Sequence, residues 1–403
     1  MRLAVVEGGK DEGGTVVLRF GTHDDPVLAA GAIYRELRGG RDVTALAPAP
    51  HAAAIGAACE RIGLPRDLCR PDPAALHHDG GGAAPQPLRI AVAGYGVVGQ
   101  ALARRIADEH GMEIVSILAR DPSRTRPVPP PCPIVTSADA LIAASPDVVV
   151  DVLSCDRLGA ELTEAALASG AHVASASKRV VSAHHARLAA LAQESGAAFL
   201  YSAAVGGGAP VIETIDRARG LGEVAGFAGT LNGTVNYVLD RMASGLPFAA
   251  ALKEAQVAGF AEEDSEADLS GADAAAKLRI AALHAYGVAP ESVTVTMDRL
   301  DADAITRIEA SGTRWVQVAR LERNRGEIAA SVRLQPIGEV DGLEAGPAEW
   351  NSACVTLTDG RQICCGGRGA GGAPTAEAIV ADLHDIAALR SGSSAAREDQ
   401  QAC

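Results

Sequence analysis

Short apolar runs and longer Ala-rich stretches alternate along the middle of the chain. RIAVAG, GQALARRIADEHG, EIVSILAR, PDVVVDVL, ELTEAALASG and AHVASAS follow one another between Leu88 and Ser177. A short apolar run bounded by turn residues reads as a buried strand, and a longer amphipathic stretch reads as a helix. Strands separated by crossover helices pair in parallel, so this rhythm predicts an α/β fold with a doubly wound parallel sheet. From about Pro210 the pattern changes to longer helices, ALKEAQVAGF and DAAAKLRIAALHAYG, mixed with strand-like EIAASVRLQPI. That mixture predicts a second, α+β domain.

Composition adds boundaries to this picture. Residues 1–87 form a distinct N-terminal piece ending in HHDGGGAAPQPL, whose glycines and prolines resist regular structure. The sheet-forming region spans 88–209 and the α+β region 210–366; segment 367–392 is expected to return to the first of these, and the polar tail 393–403 to be disordered. The chain has 403 residues and a net charge of −14, which argues against nucleic acid and against an anionic membrane face. No apolar run reaches the length of a membrane span, and MRLAVVEGGKDEGG lacks the regions of a signal peptide, so a cytoplasmic protein with a small-molecule ligand is expected. The eight cysteines include no CxxC spacing and are expected to be reduced, and the ten histidines include no HExxH or comparable ligand spacing.

The first candidate chemistry is a glycine fingerprint. The strand ending at Val92 is followed by Gly94-Tyr95-Gly96-Val97-Val98-Gly99 and then a helix. In such a turn the first glycine permits the sharp bend, the second the approach of a pyrophosphate, and the third close helix-to-strand packing. The strand-turn-helix context supports a Rossmann-type site for NAD or NADP. The next strand ends at Arg120 and Asp121, where the ribose-reading residue belongs. Asp121 would favour NAD; Arg120, with Arg124 and Arg126 nearby, favours NADP, and NADP is the expectation. A solvated arginine loop is the alternative.

The second is EEDSEADLSGADAAAK, Glu262 to Lys277. Ser270 to Asp273 fits an S-x-x-D capping pattern, and Asp273 with Lys277 is an i,i+4 ion pair. Five further carboxylates crowd the same helix mouth, a density of like charge suited to a cation, and Ala274 to Ala276 are expected to leave the helix surface open. A lysine among carboxylates can donate a proton to a carbonyl oxygen. Lys178, just after the strand His172 to Ser175, stands where doubly wound folds place ligands, or is a solvated loop lysine. Glycine-dense segments at Val205 to Pro210 and Gly367 to Thr375 bring backbone near a ligand or simply turn the chain. Asn232-Gly233 opens a helix as a turn or aims amides at a site.

Together GYGVVG, SASKRVVS, YSAAVGGGAPVIETI, LNGTVNYVL, AEEDSEADLSGADAAAK and GRGAGGAPTAEAIVADLHDIA, in this order from Leu88 to Ala388, resemble homoserine dehydrogenase, closest to the dehydrogenase half of the enzymes fused to aspartokinase. The resemblance implies NAD(P)-dependent reduction of aspartate semialdehyde to homoserine. It implies Lys277 as proton donor, Glu262 and Asp273 as ligands of the substrate's amino end, and Asp268 in support. Lys178 would lie between nicotinamide and substrate, Ser154 would contact the nucleotide, and Gly371 would approach the nicotinamide. Backbone carbonyls of Val205, Gly207 and Ala209 would hold a sodium ion, and the protein would form a homodimer or homotetramer through its second domain. Ser177 stands where the family has Asn, Ser202 where it has an acid, and Cys155 in a turn usually built of Gly or Ser. Two other functions stand beside this one: a paralogue for a different amino-acid semialdehyde, and a silent nucleotide-binding protein. Val16 to Thr22 faintly resembles the opening of an aspartokinase, with Arg19 at the lysine position, and implies a small βαβ remnant without kinase activity, or an unrelated extension.

Overall fold

The computed structural model describes residues 6–10, 16–19, 43–47, 55, 59, 69–71 and 86–401, apart from 110, 262–263, 325, 340–342, 344–349 and 370. The chain divides into two compact units, Met1–Gln86 and Pro87–Cys403. The first holds a sheet ordered β1 (Val6–Lys10), β2 (Val16–Arg19), β3 (Val43–Ala47), β4 (Cys69–Pro71). β1 and β2 are antiparallel, whereas β2, β3 and β4 run parallel, with Ala45, Ile55, Cys59 and Cys69 buried.

The second unit begins with the alternating pattern. Its strands are β5 (Leu88–Ala93), β6 (Met112–Leu118), β7 (Ile134–Val135), β8 (Val148–Asp151), β9 (His172–Ser175) and β10 (Phe199–Leu200). They form one parallel sheet in the order β10-β9-β8-β5-β6-β7, the doubly wound order of a Rossmann fold. Between them run α1 (Val97–Ala107), α2 (Ala138–Ala143), α3 (Asp156–Ala168) and α4 (Lys178–Ser195). VVVD of β8 is buried at every position because helices cover both faces, which is why it reads as an unbroken apolar run.

The remainder builds a mixed sheet, ordered β12 (Val295–Met297), β14 (Glu327–Pro336), β13 (Trp315–Asn324), β11 (Val224–Thr230), β15 (Trp350–Leu357), β16 (Gln362–Arg368). Its helices are α5 (Val211–Leu221), α6 (Gly233–Ala243), α7 (Phe248–Val257), α8 (Glu266–Leu269), α9 (Ala272–Tyr286) and α10 (Ala302–Ser311). Ala274, Ala275, Leu278 and Ala282 of α9 share a core with Ile212 and Ile215 of α5 and with Phe227, Leu321 and Val355 of the sheet. Ala274 to Ala276 are therefore buried and open no surface, contrary to the sequence expectation: small residues let α9 lie close to its neighbours.

Two more expectations are corrected. Cys354 and Cys364 stand opposite each other on antiparallel β15 and β16 and form a disulfide, so these thiols are not reduced. The final helix, α11 (Gly372–Gln401), runs on through the segment expected to be a disordered tail. Past Gly392 the Ala, Arg, Glu and Gln residues are good helix formers, and no glycine or proline interrupts them. Ala376, Ile379, Val380, Leu383 and Ile386 of α11 pack with Leu102 and Ile106 of α1 and with Ile90 and Val92 of β5. Among the described residues no helix is long and apolar enough to cross a membrane.

Candidate active site

The carboxyl ends of β5, β8 and β9 lie side by side, because Ala93 pairs with Asp151 and Asp151 with Ser175. Each strand delivers one predicted segment to this edge: the glycine fingerprint, the Ser154 turn and Lys178. The three fingerprint glycines sit in different steric settings. Gly94 sits at φ +109° with its missing Cβ against the Val152 carbonyl oxygen, 2.8 Å away. A Cβ on Gly96 would meet nothing within 4 Å, which leaves room for a pyrophosphate. A Cβ on Gly99 would collide with the Gly94 carbonyl oxygen. Tyr95 is buried with its hydroxyl donating to the Pro129 carbonyl, whereas Val97 at the helix start is 75% exposed and Val98 joins the sheet core. Across from them Gly371, at φ +117°, and Gly372 bring the start of α11 against Val97, where a Cβ on Gly372 would lie 2.9 Å from the Val97 side chain.

At the end of β6, Arg120 is exposed, and the Asp121 carboxylate is turned onto its own loop, accepting from the Ser123 amide at 2.9 Å and the Ser123 hydroxyl at 2.6 Å. Those two bonds hold the Asp121 carboxyl below its ordinary range. Arg126 lies over the Tyr95 ring, 5.8 Å from its centroid. Ser154 is exposed beside Cys155, which takes the N-cap position of α3 without a side-chain capping bond.

Lys178 is the first residue of α4 rather than a loop residue. Its Nζ lies 2.7 Å from Asp273 Oδ1, and Lys277 Nζ lies 2.7 Å from Asp273 Oδ2. One buried carboxylate thus joins Lys178, at the start of α4, to Lys277 of α9 in the second domain. Burial opposes the charge on Asp273, but Lys277 and Lys178, with their hydrogen bonds, outweigh it and take the carboxyl down to about 2. Lys277 also donates to the Leu231 carbonyl at 2.6 Å. The S-x-x-D cap does not form: α9 starts from Gly271 at φ +80° with no side-chain cap, and Asp273 is spent on the lysines. Asn232 caps α6 through its bond from the Val235 amide, and its Nδ2 donates to the Asp268 carbonyl at 3.1 Å.

The acidic run divides by partner. Asp268 faces the cluster: burial and Asp273 push its carboxyl up to about 6, against the pull of Lys277 and Lys178. Glu266 instead forms a two-pronged pair with Arg299 at 2.6 Å, and Asp264 accepts from the Glu266 amide. Glu262 lies outside the described residues.

The Val205 to Ala209 turn packs against Arg368 and Gly369, where a Cβ on Gly207 would lie 2.5 Å from the Gly369 carbonyl oxygen. Its fit to sodium is poor. Ala209 already accepts from the Val211 amide at 2.8 Å, and the position expected to be acidic is Ser202, whose amide donates to Asp382 at 3.1 Å. Among the described residues no group of three or more His, Cys, Asp or Glu is arranged for a metal ion.

Sequence reasoning missed a second polar layer two turns along the same helices. Tyr201 Oη is 3.0 Å from His185 Nε2 on α4 and 3.3 Å from His284 Nε2 on α9, and His284 Nδ1 is 2.9 Å from Asp216 on α5. His185 and His284 each follow a site lysine by seven positions, a spacing that repeats one helix face and was visible in the sequence. Burial lowers the His185 pKa and raises that of Tyr201.

The homoserine dehydrogenase family matches residues 210–384, and its NAD binding domain matches residues 94–202. The homoserine dehydrogenase of Pseudomonas aeruginosa is 31% identical over 328 residues, covering 75% of this chain and 72% of that protein. The chain belongs to the homoserine dehydrogenase family. The crystal structure of a homoserine dehydrogenase from Thiobacillus denitrificans superposes with a TM-score of 0.69 at 28% identity, over 76% of this chain and 74% of that one. A relative described as an NAD(+)-dependent homoserine dehydrogenase, from Pseudomonas canavaninivorans, is 34% identical over 55% of this chain and 64% of its own length. The matches to the homoserine dehydrogenase family start at Gly94 and end at residue 384, so both the fingerprint and the Asp273–lysine cluster lie within them.

Proposed function

We propose that this chain reduces L-aspartate 4-semialdehyde to L-homoserine with NAD(P)H, a step toward threonine and methionine, and that Lys277 is the proton donor. The observation that carries the reading is Asp273 held between Lys178 and Lys277 at the mouth of α9. An ammonium has three protons. Two on Lys277 are engaged by Leu231 and Asp273, and the third is assigned to the substrate's aldehyde oxygen. Lys277 is largely buried, so its charge acts on a developing alkoxide with little screening by water. Asp273, which the resemblance gave to the substrate's amino end, has both oxygens engaged by Lys178 and Lys277, so Asp268, first given a supporting part, is assigned with Glu262 to the substrate ammonium. Gly94, Gly96 and Gly99, with Tyr95, Val97, Val98, Ser154, Lys178 and Gly371, would hold the nucleotide, which when bound would supply the hydride to the aldehyde carbon. Proton transfer from Lys277 Nζ then leaves the product hydroxyl.

NADP is the favoured nucleotide, supported by Arg120, Arg124 and Arg126 at the end of β6 and by Asp121 being turned onto Ser123. No step is assigned to sodium. A homodimer or homotetramer through the second domain, in the cytoplasm, fits the family resemblance and the exposed alternate residues of edge strand β16.

Steady-state assay with NADPH and with NADH tests the reading. Wild type should oxidise NADPH on addition of the semialdehyde, and Lys277→Ala should lose about 10²- to 10⁴-fold in kcat with nucleotide affinity retained. Near-normal turnover by that variant would remove Lys277 from its role; a strong preference for another semialdehyde would replace the substrate.

A further inference from the structure

Asp151 is fully buried at the carboxyl end of β8, and among the described residues it has no ion pair. Its two carboxylate oxygens go to different loops. Oδ1 accepts from the Leu153 amide at 3.1 Å, at the start of the Ser154 turn. Oδ2 accepts from the Ser175 hydroxyl at 3.0 Å, and Ser175 Oγ in turn accepts from the Ser177 amide at 3.1 Å. Ser177 is the residue before Lys178, and its own side chain makes no capping bond to α4. The start of this helix is therefore held from behind, by Ser175 and Asp151, rather than by a cap in front.

We infer that Asp151 is a positioning residue: through Ser175 it sets the Ser177–Lys178 peptide, and through Leu153 it sets the nucleotide-facing turn, so that one carboxylate registers Lys178 against the cofactor. The chain makes room for it. A Cβ on Gly159 of α3 would lie 3.3 Å from Asp151 Oδ2 and 3.2 Å from a Val180 methyl of α4, so a larger residue would press on both the carboxylate and the helix that carries Lys178. Burial, helped by Asp156, raises the Asp151 carboxyl to about 6 against the pull of its two hydrogen bonds. A carboxylate kept in this setting is retained for its two acceptor oxygens. A buried group that orients a site residue acts on rate through geometry, because small displacements of a reacting group are expensive.

This inference rests on the proposed function for its kinetic readout only, and a chemical readout stands apart from it. Ser175→Ala cuts the path to Lys178 and leaves the Leu153 bond. It should lower kcat about tenfold while the NADPH dissociation constant, read by fluorescence titration, stays within about twofold. Asp151→Asn keeps one acceptor oxygen and puts an NH2 donor in place of the other, so the two loops are no longer both held as in wild type, and kcat and nucleotide affinity should change, each by about tenfold. Ser175→Thr keeps the hydroxyl and should restore kcat. Reductive methylation of the folded protein, quantified at Lys178 by mass spectrometry, should proceed several-fold faster in Ser175→Ala than in wild type or Ser175→Thr. If Ser175→Ala matches wild type within about twofold in both kcat and Lys178 labelling, the inference is overturned. If wild type itself fails to turn over the semialdehyde, the proposed function falls, and the labelling comparison alone decides the role of Asp151.

Discussion

Asp273 and Asp268 lie five positions apart, feel the same two lysines, and answer them with opposite sign. Asp273 is drawn down to about 2, below an ordinary carboxylate, so the stability it contributes is present above that ordinary range and lost as pH falls toward 2. Asp268 is raised to about 6, so the folded protein takes up its proton more readily than the unfolded chain; its contribution is fully present below its ordinary value near 3.8 and lost as pH rises through 6. The paired substitutions should therefore diverge at pH 8 in a denaturant titration. Asp273→Asn should lose at least about 2 kcal/mol, because it leaves Lys178 and Lys277 facing each other without a counter-charge. Asp268→Asn should be neutral or gain up to about 2 kcal/mol, allowing for its partial exposure. Because the assigned job of Asp268 requires its ionised form, the wild-type KM for the semialdehyde should rise as pH falls below about 6, and that rise should vanish in Asp268→Asn. A flat KM from pH 5 to 8 in wild type would take Asp268 out of substrate binding.

At the scale of elements, the turn between β5 and α1 depends on what its glycines leave out. Gly99→Ala would drive a methyl into the Gly94 carbonyl oxygen, which is backbone and cannot swing aside. The expected result is a weakening of NADPH binding by at least about tenfold with the second domain's fold intact, read by fluorescence titration beside circular dichroism. The same geometry shows what the sequence can carry. The fingerprint was legible because each glycine answers a local steric demand, and the alternation of β5 to β10 because two buried faces leave an unbroken apolar run. Asp273 with Lys277 was legible as i,i+4 spacing on one helix. Its second partner was not, since Lys178 comes from a helix almost a hundred positions earlier, and a capping box explained the same residues from local grammar alone. The alanines of α9 misled for a related reason: small residues mark close packing as readily as open surface. The Cys354–Cys364 link depends on the register of β15 against β16, which spacing along the chain does not set. Asp151 was hidden by its own strand, where one acid at the end of PDVVVDVL reads as the edge of an apolar run.

For the whole molecule, the nucleotide-type sheet is discontinuous in sequence. Its core draws on Leu88 to Leu200 and then, after the entire second domain, on α11, whose Ala376, Ile379, Val380, Leu383 and Ile386 close the face against α1 and β5. Burial of those five side chains is worth roughly 10 kcal/mol, comparable with the whole stability of an ordinary domain. A chain stopped after residue 370 should therefore fail to bind NADPH and should expose apolar surface to a fluorescent dye, while the protein carried to residue 403 does neither; a truncated chain that still binds nucleotide would place the stability of that sheet elsewhere. The feature also has a meaning in time. On the ribosome the strands from Leu88 to Leu200 emerge long before the helix that covers them. At about 5–20 residues per second the wait spans on the order of ten to forty seconds. During that interval the substrate-side domain can complete itself, while the half that reads the nucleotide stays open, so a nascent chain cannot capture its cofactor until its last helix has been made.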